Sequence, residues 1–251
     1  MNNIILTSKV CLPSAKLLRD KLEIKYNNKL IVTTNIDKAK DKLLFSYGRC
    51  INNNPLNSSS FINMCSNKNK LSDLLNDHGI YSPKFINDKL PKEDDYPILI
   101  RETLTGHGGI GIHIVENDND FMRYWLKEYY WTKFIITEFE LRVHVFDNNI
   151  IKIFKKEFNS DDIKEPAYPI RNINNGYHFS SRNIDKYPKV ISLIKDKLNN
   201  ILNGVHYGID LGYDIDKKEY IIYEINTGCG LNDDTASIYA DLIYNKLNNI
   251  Q

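Results

Sequence analysis

Cysteine is scarce in this chain: there are four, at positions 11, 50, 65 and 229, and no two form a C-x-x-C pair. That pattern argues against a disulfide framework and for free thiols in a reducing compartment. An excess of either charge is also missing, since 33 basic residues face 32 acidic ones for a formal net charge of +1. General nucleic-acid binding through a basic surface is therefore not expected, whereas a local basic cleft for a small polyanion is compatible with this balance. No apolar run approaches the roughly 20 residues that span a bilayer, so no membrane partner is expected. The opening residues, MNNIILTSKVCLPSAK, lack a basic region followed by a long apolar core. A signal peptide is not expected, and a cytoplasmic location is.

What the chain does have is enough apolar material for a normal core, with 42% hydrophobic and 26% charged residues over 251 positions. That length fits one large domain or two to three small lobes. Asparagine is abundant, at 31 residues, alongside many Ile and Lys. This fits codon bias from an AT-rich genome and weakens arguments from single Asn residues.

Along the chain, residues 2–7, 29–34 and 43–48 read as strands around a helix at 13–25, a β-α-β start that suggests a small parallel sheet. Residues 51–60 are turn-rich. SNKNKLSDLLNDHGI reads as an amphipathic helix with Leu71, Leu74 and Leu75 on one face and a stop at His78-Gly79. Residues 96–115 read as strand, Gly-rich turn, strand. DNDFMRYWLKEYY reads as a helix capped by Asp118 or Asn119. KFIITEF, LRVHVF and NIIKIFKKEF read as three strands in quick succession, and 159–185 as polar and irregular. KVISLIKDKLNNIL reads as a helix, GVHYGIDLGYDI and EYIIYEINTGCGL as a hairpin, and DDTASIYADLIYNKL as a helix.

Five segments carry candidate chemistry. In the C-terminal hairpin, Glu224 and Asn226 share one face of a strand by its two-residue period. Facing Asp214 or Asp210 on the neighbouring strand, they make an all-oxygen set that suits Mg²⁺, a hard cation usually held between carboxylates and substrate phosphates. TLTGHGGIGI (103–112) places four glycines between apolar strands, where backbone N–H groups can wrap phosphate oxygens. It is neither a Walker A loop nor a Rossmann fingerprint, and Arg101 beside it is a suitable phosphate clamp. A plain flexible hairpin would show the same glycines. In TEFELRVHVF (137–146), Glu138, Glu140, Arg142 and His144 share one parity opposite an apolar face; Arg142 could hold transferring phosphate oxygens, and His144 reads as structural. In NIIKIFKKE (149–157), one inward lysine could meet a nucleotide, and Lys155 and Lys156 stay open because a one-residue shift reverses the face. In IRNINNGYHFS (170–180), Arg171, Asn172, Asn175 and His178 cluster in a loop, and a bland loop fits equally well.

Taken in order, these segments resemble the ATP-grasp superfamily of carboxylate–amine ligases. SNKNKLSDLLNDHGIYSPKF resembles the family's Lys-helix-Gly-Ile-x-x-Pro entry to its nucleotide lobe, and ILIRETLTGHGGIGI its strand and flexible Gly-rich loop. ELRVHVF resembles its E-x-R-V-x-V strand, and GYDI…YEINTGCGL its metal-binding Asp…Glu-x-Asn. With FSYG and NGYHF, the set is most similar to compact phage-encoded members related to ribosomal-protein-modifying glutamate ligases. The match covers about residues 43–245.

The resemblance implies an α+β ATP-grasp fold, with a small N-terminal α/β lobe (1–65) and two α+β lobes (66–136 and 137–251) that clamp ATP between them. It implies that Lys68 and Arg101 contact ATP phosphates, with Arg101 standing where the family usually has Lys. Gly108, Gly109 and Gly111 would close over the phosphates and Glu138 would lie near adenine or ribose; of the two lysines left open, Lys155 is taken as the one toward the nucleotide. Arg142 would be the catalytic residue, stabilising an acyl phosphate and tetrahedral intermediates. Asp214, Glu224 and Asn226 would bind one or two Mg²⁺ (or Mn²⁺), with Asp210 as a rival ligand. Arg171, Asn172 and His178 would line the substrate side. The implied reaction joins a carboxylate to an amine on a small molecule, peptide or protein and releases ADP and phosphate. A kinase-like phosphotransferase and a non-catalytic nucleotide-binding protein are the competing readings. The acid, the amine and the oligomeric state are not legible.

Overall fold

The computed structural model describes residues 4–27, 29–40, 42–49, 51, 54–105, 109–159 and 169–249. β1 (Ile4–Thr7), β2 (Ile31–Thr33) and β3 (Leu43–Tyr47) form a parallel sheet in the order β2-β1-β3, crossed by α1 (Leu12–Tyr26) and α2 (Ile36–Ala39). α1 begins at a proline-bearing first turn, where the missing N–H costs nothing. It ends at Asn27, whose φ of 47° is left-handed.

The next two helices are α3 (Ser59–Ser66) and α4 (Lys68–Asp77). The Ser-rich run predicted only as a turn contains the cap of α3: Ser58 accepts a hydrogen bond from the Phe61 N–H. Phe61, Ile62 and Cys65 are the side chains that helix buries. α4 is capped by Asn67 and stops at the predicted point, with Gly79 at φ +65°.

β4 (Ile98–Arg101), β5 (Ile112–Val115) and β6 (Tyr130–Lys133) make an antiparallel sheet in the order β5-β4-β6, with α5 (Asp118–Tyr124) beside it. Asn117, rather than Asp118 or Asn119, caps α5 by accepting from Asp120 N–H. The predicted helix stops short, because Tyr130–Lys133 pair with β4.

β7 (Thr137–Phe146), β8 (Asn149–Phe158), β9 (Tyr177–Arg182), β10 (His206–Asp214) and β11 (Glu219–Asn226) form the largest sheet, antiparallel and ordered β11-β10-β7-β8-β9. β7 is one strand where two were predicted, and β9 lies in a stretch predicted to be irregular. α6 (Pro188–Ser192) runs through a π-helical turn (Leu193–Leu198) into α7 (Asn199–Ile201), and α8 (Asp233–Asn248) follows β11.

One face of the large sheet, with Leu141, Val143, Val145, Ile209 and Leu211, shares a core with α3, α4 and the 188–201 helix. α4 thus packs with strands of the C-terminal segment. Likewise α8 contributes Tyr239, Ala240 and Ile243 to the core of the small parallel sheet, against Ala15, Leu18 and Leu22 of α1. Among the described residues no helix is long and apolar enough to cross a membrane.

Gly204 lies against the main core: a Cβ there would overlap Cε1 of Phe61, a residue only 1% exposed. Gly204→Ala is expected to cost about 1–3 kcal/mol by overpacking, read as a drop in the urea midpoint without a change in slope.

Candidate active site

A cavity of about 620 Å³ is lined by residues of the two antiparallel sheets, the loops between them and the start of α1. Its volume lies within the usual range for small-molecule sites of roughly 300–1,000 Å³. Among the described residues, six cationic side chains line it (Lys68, Arg101, Lys133, Arg142, Lys156 and Arg171) against three carboxylates, Glu140, Asp210 and Glu224. The nearly neutral chain therefore concentrates positive charge here, which favours a polyanionic ligand.

The floor is built by the registers of β7, β10 and β11. Asp210 lies directly opposite Arg142 on one side and Glu224 on the other. Arg142 donates from Nε to Asp210 Oδ1 at 2.7 Å and from Nη2 to Oδ2 at 2.6 Å. One face of its guanidinium lies over Phe179, 4.7 Å from the ring centroid. Burial would lower the Arg142 pKa, but Asp210 at its side raises it above its ordinary value. Burial would raise Asp210, yet Arg142 and Lys156 hold it well below the usual carboxylate range. The pair is therefore ionised. Glu224 pairs with Lys68 Nζ at 3.0 Å and accepts from Asn226 Nδ2 at 3.0 Å.

Two β-bulges decide which side chains enter. Asp210 pairs with Glu224 but Leu211 with Ile222, so Tyr223 is an extra residue and both Tyr223 and Glu224 reach the cavity. Glu140 pairs with Gly212 and Thr137 with Asp214, so β7 also carries an extra residue. Thr137 and Glu140 line the cavity, whereas Glu138 is exposed outside it. The bulge breaks strict alternation, so Glu138, expected beside a nucleotide, does not line the cavity.

Lys155 also points away. Its Nζ lies over Phe139, 5.6 Å from the centroid, and Phe139 stacks on Tyr213 on the helix-covered side. Lys156 enters instead, 2.9 Å from Glu140 and 3.8 Å from Asp210. Asp214 is not in the cavity lining either. Its carboxylate accepts from Tyr81 OH at 2.9 Å and from the N–H groups of Asp216 and Lys217 at 3.0 Å, closing the hairpin turn. Four residues at about 3.4 Å each separate it from Asp210 along the strand. Of the two aspartates left open by the sequence, Asp210 is the one beside Glu224.

The roof comes from Gly109, Ile110 and residues 169–174. Gly109 lines the cavity at φ +79°, and a Cβ on it would meet Asn172 Nδ2 at 2.6 Å. Gly111, at φ +68°, forms the turn: its carbonyl accepts from Glu102 N–H at 2.9 Å, and it does not line the cavity. Gly108 lies outside the described residues. Arg101 lines the cavity, and its Nε is buried with no hydrogen-bond partner among the described residues. Burial lowers its pKa against the opposing effect of Glu224. Arg171 lines the cavity and donates from Nη1 to the carbonyl and hydroxyl of Thr137, both at 3.1 Å. His178 stays outside, half exposed beside Glu157 at 4.0 Å. His144 is buried against Tyr239 and Phe154, a structural residue as predicted.

Between the sheets, the linker 134–136 lines the cavity. Among the described residues, the backbone groups of Ile135 and Ile136 make no hydrogen bond to protein, leaving them available to a ligand edge. Nothing in the sequence pattern marked this linker, Tyr223 or Phe179. Glu140 stood on the predicted polar face without a role.

No protein-family model matches the sequence. No curated protein matches it. Solved structures do. A D-alanine–D-alanine ligase from Bacillus anthracis is similar at 16% identity and a TM-score of 0.70, over 99% of this chain and 97% of that one. The ATP-grasp ligase PsnB, complexed with a minimal precursor, is similar at 10% identity and a TM-score of 0.65, over 98% and 100%. An N5-carboxyaminoimidazole ribonucleotide synthetase from Thermotoga maritima is similar at 14% identity and a TM-score of 0.65, over 98% and 76%. At such identities the likeness is one of fold, and it spans nearly the whole chain. The chain has the ATP-grasp fold.

Proposed function

We propose that this chain is an ATP- and Mg²⁺-dependent carboxylate–amine ligase that forms an amide through an acyl phosphate. The observation that carries the reading is the convergence of Arg142, Asp210, Glu224 and Lys68 on the floor of one cationic cavity. Further support comes from neighbours of the same fold, including a ligase complexed with ATP and an ADP-bound N5-carboxyaminoimidazole synthetase.

The donor set fits the metal. Asp210 and Glu224 face each other across paired strands, and the amide oxygen of Asn226 adds a third hard ligand. Asp210, Glu224 and Asn226 would hold Mg²⁺, which when bound neutralises phosphate charge. The linker backbone at Ile135 and Ile136 would take the nucleobase edge. Lys68, Arg101 and Lys156 would bind phosphate oxygens, and Arg142 would meet charge developing at the transferred phosphoryl group and the acyl carbon. Gly109 and Ile110 would cover the phosphates and exclude water from an acyl phosphate. Arg171, Asn172 and the wall at Gly228–Gly230 are the proposed substrate side.

The test is an ADP-release screen across amino acids and peptides, with product mass as readout and hydroxylamine added in parallel. A hydroxamate with an amide product supports ligation; a phosphorylated product without hydroxamate points to a kinase-like enzyme instead. Within that assay, Asp210→Asn is expected to lose on the order of a hundredfold or more in rate. Asp214→Asn is expected to keep a near-normal rate and to soften only the hairpin turn. Equal losses in both would remove Asp210 from its assigned place.

A further inference from the structure

Arg142 and the metal seat draw on the same carboxylate. Both oxygens of Asp210 are taken by the guanidinium in a bidentate pair, and Asp210 is only 3% exposed. Lys156 adds a second cation 3.8 Å away. The carboxylate of Glu224 lies across the strand pair from the same residue. A divalent cation bound by Glu224 and Asp210 would therefore meet Arg142 within contact range of a shared ligand. Two cations on one buried carboxylate repel each other strongly where water screens little.

The guanidinium also has somewhere to go. Nη1 makes no hydrogen bond to any described residue, and a Cβ at Gly230 would lie 3.9 Å from it across the cavity wall. The Phe179 ring supports the flat face of the group without fixing it in the plane.

We propose that a divalent cation and Arg142 compete for Asp210, so that seating the cation releases the guanidinium toward the substrate end of the cavity. The inference rests on Asp210 and Glu224 forming the metal seat. Arg142 is then held in reserve by the carboxylate that metal and nucleotide later claim. Its full charge becomes available only once the phosphates are in place. The coupling is reciprocal: the factor by which Arg142 weakens metal binding equals the factor by which metal loosens the ion pair.

Mn²⁺ titrated in the presence of ADP and followed by electron paramagnetic resonance gives the readout. Arg142→Met is expected to tighten Mn²⁺ binding by about fivefold or more, within the usual range of coupling between sites. Asp210→Asn is expected to weaken it. In the Asp210→Asn background, Arg142→Met is expected to add nothing, because the contested carboxylate is gone. Unchanged or weaker binding in Arg142→Met, or tightening that persists in the double variant, overturns the competition. If Glu224→Gln weakens Mn²⁺ binding while Asp210→Asn does not, the competition falls and the rest of the seat stands. If neither weakens it, the seat itself is wrong and the inference falls with it. The wild-type protein supplies a check that needs no substitution. In ¹⁵N-labelled protein, the Arg142 Nε–H signal should move when Mg²⁺ is added with ADP, and an unmoved signal is contrary to the proposal.

Discussion

Glu224→Gln will lower ADP formation on the order of a thousandfold, at the upper end of what one electrostatic group contributes at a reacting centre. The substitution keeps shape and removes charge. It takes away one of the two carboxylates proposed for the metal and the partner of Lys68, whose side chain is 13% exposed. A ligand carboxylate and a phosphate-binding lysine are thus disturbed together, which is why the effect should exceed that of a single lost contact. The fold should be indifferent. Glu224 lies near the end of β11 rather than in the apolar core, and glutamine can still accept the Asn226 hydrogen bond. Thermal unfolding should stay near that of the parent protein while turnover disappears. A variant that retains turnover within about tenfold of normal would dismiss Glu224 from the metal seat.

Acid will unfold this protein earlier than its carboxylates alone would dictate. Among the described residues, two histidines are buried without charge. His144 is 1% exposed beside Tyr239 and Phe154, and burial, with Arg142 adding to it, lowers its pKa to about 3. His206 is fully buried, stacked on Tyr47 at 5.4 Å and held by Asn57, and burial lowers its pKa to about 4. The ordinary histidine value is 6.5. Below it the unfolded chain takes up protons that the native state refuses, so stability falls as pH falls from 6.5 toward 4. Each histidine should contribute roughly 2–3 kcal/mol of that loss by pH 4.5. Asp210 acts with the same sign in a lower window: its depressed pKa contributes stability in full above the usual carboxylate range and loses it only as pH falls below that range, so it leaves this slope unchanged. Urea midpoints measured from pH 7.5 to 4.5 should decline through the window, and His144→Phe should remove part of the decline. A midpoint constant over that range would mean that neither ring is buried neutral.

The contrast between legible and illegible parts of the chain has physical causes. The helices announced themselves by period and stop signals, as at Leu71, Leu75 and Gly79. The Gly-rich turn, the Arg142 strand and the Glu224–Asn226 pair lay where their order in the chain suggested. The errors cluster where local period meets an irregularity. An extra residue in β7 took Glu138 out of the cavity and let Thr137 in. An extra residue in β11 brought in Tyr223, which alternation assigns to the opposite face. Neither bulge leaves a mark in composition, because it arises from pairing with a distant strand. Lys155 against Lys156 is the same problem in miniature: one step of register separates them. Asp210 against Asp214 was different, since both aspartates share a parity. Only the registry with Arg142 and Glu224 separates a carboxylate in the cavity from one that closes a turn.

The packing of α8 onto α1 bears on how the molecule is made. The small parallel sheet is translated before the other two sheets, yet its core includes Tyr239, Ala240, Ile243 and Leu247. Until those residues leave the ribosome, the emerging β1–β3 segment presents Leu18, Leu22 and Phe45 without their cover. Domains usually fold in the order of synthesis. Here a segment made early must wait for one made much later, and a nascent chain stalled before α8 should remain a substrate for chaperones.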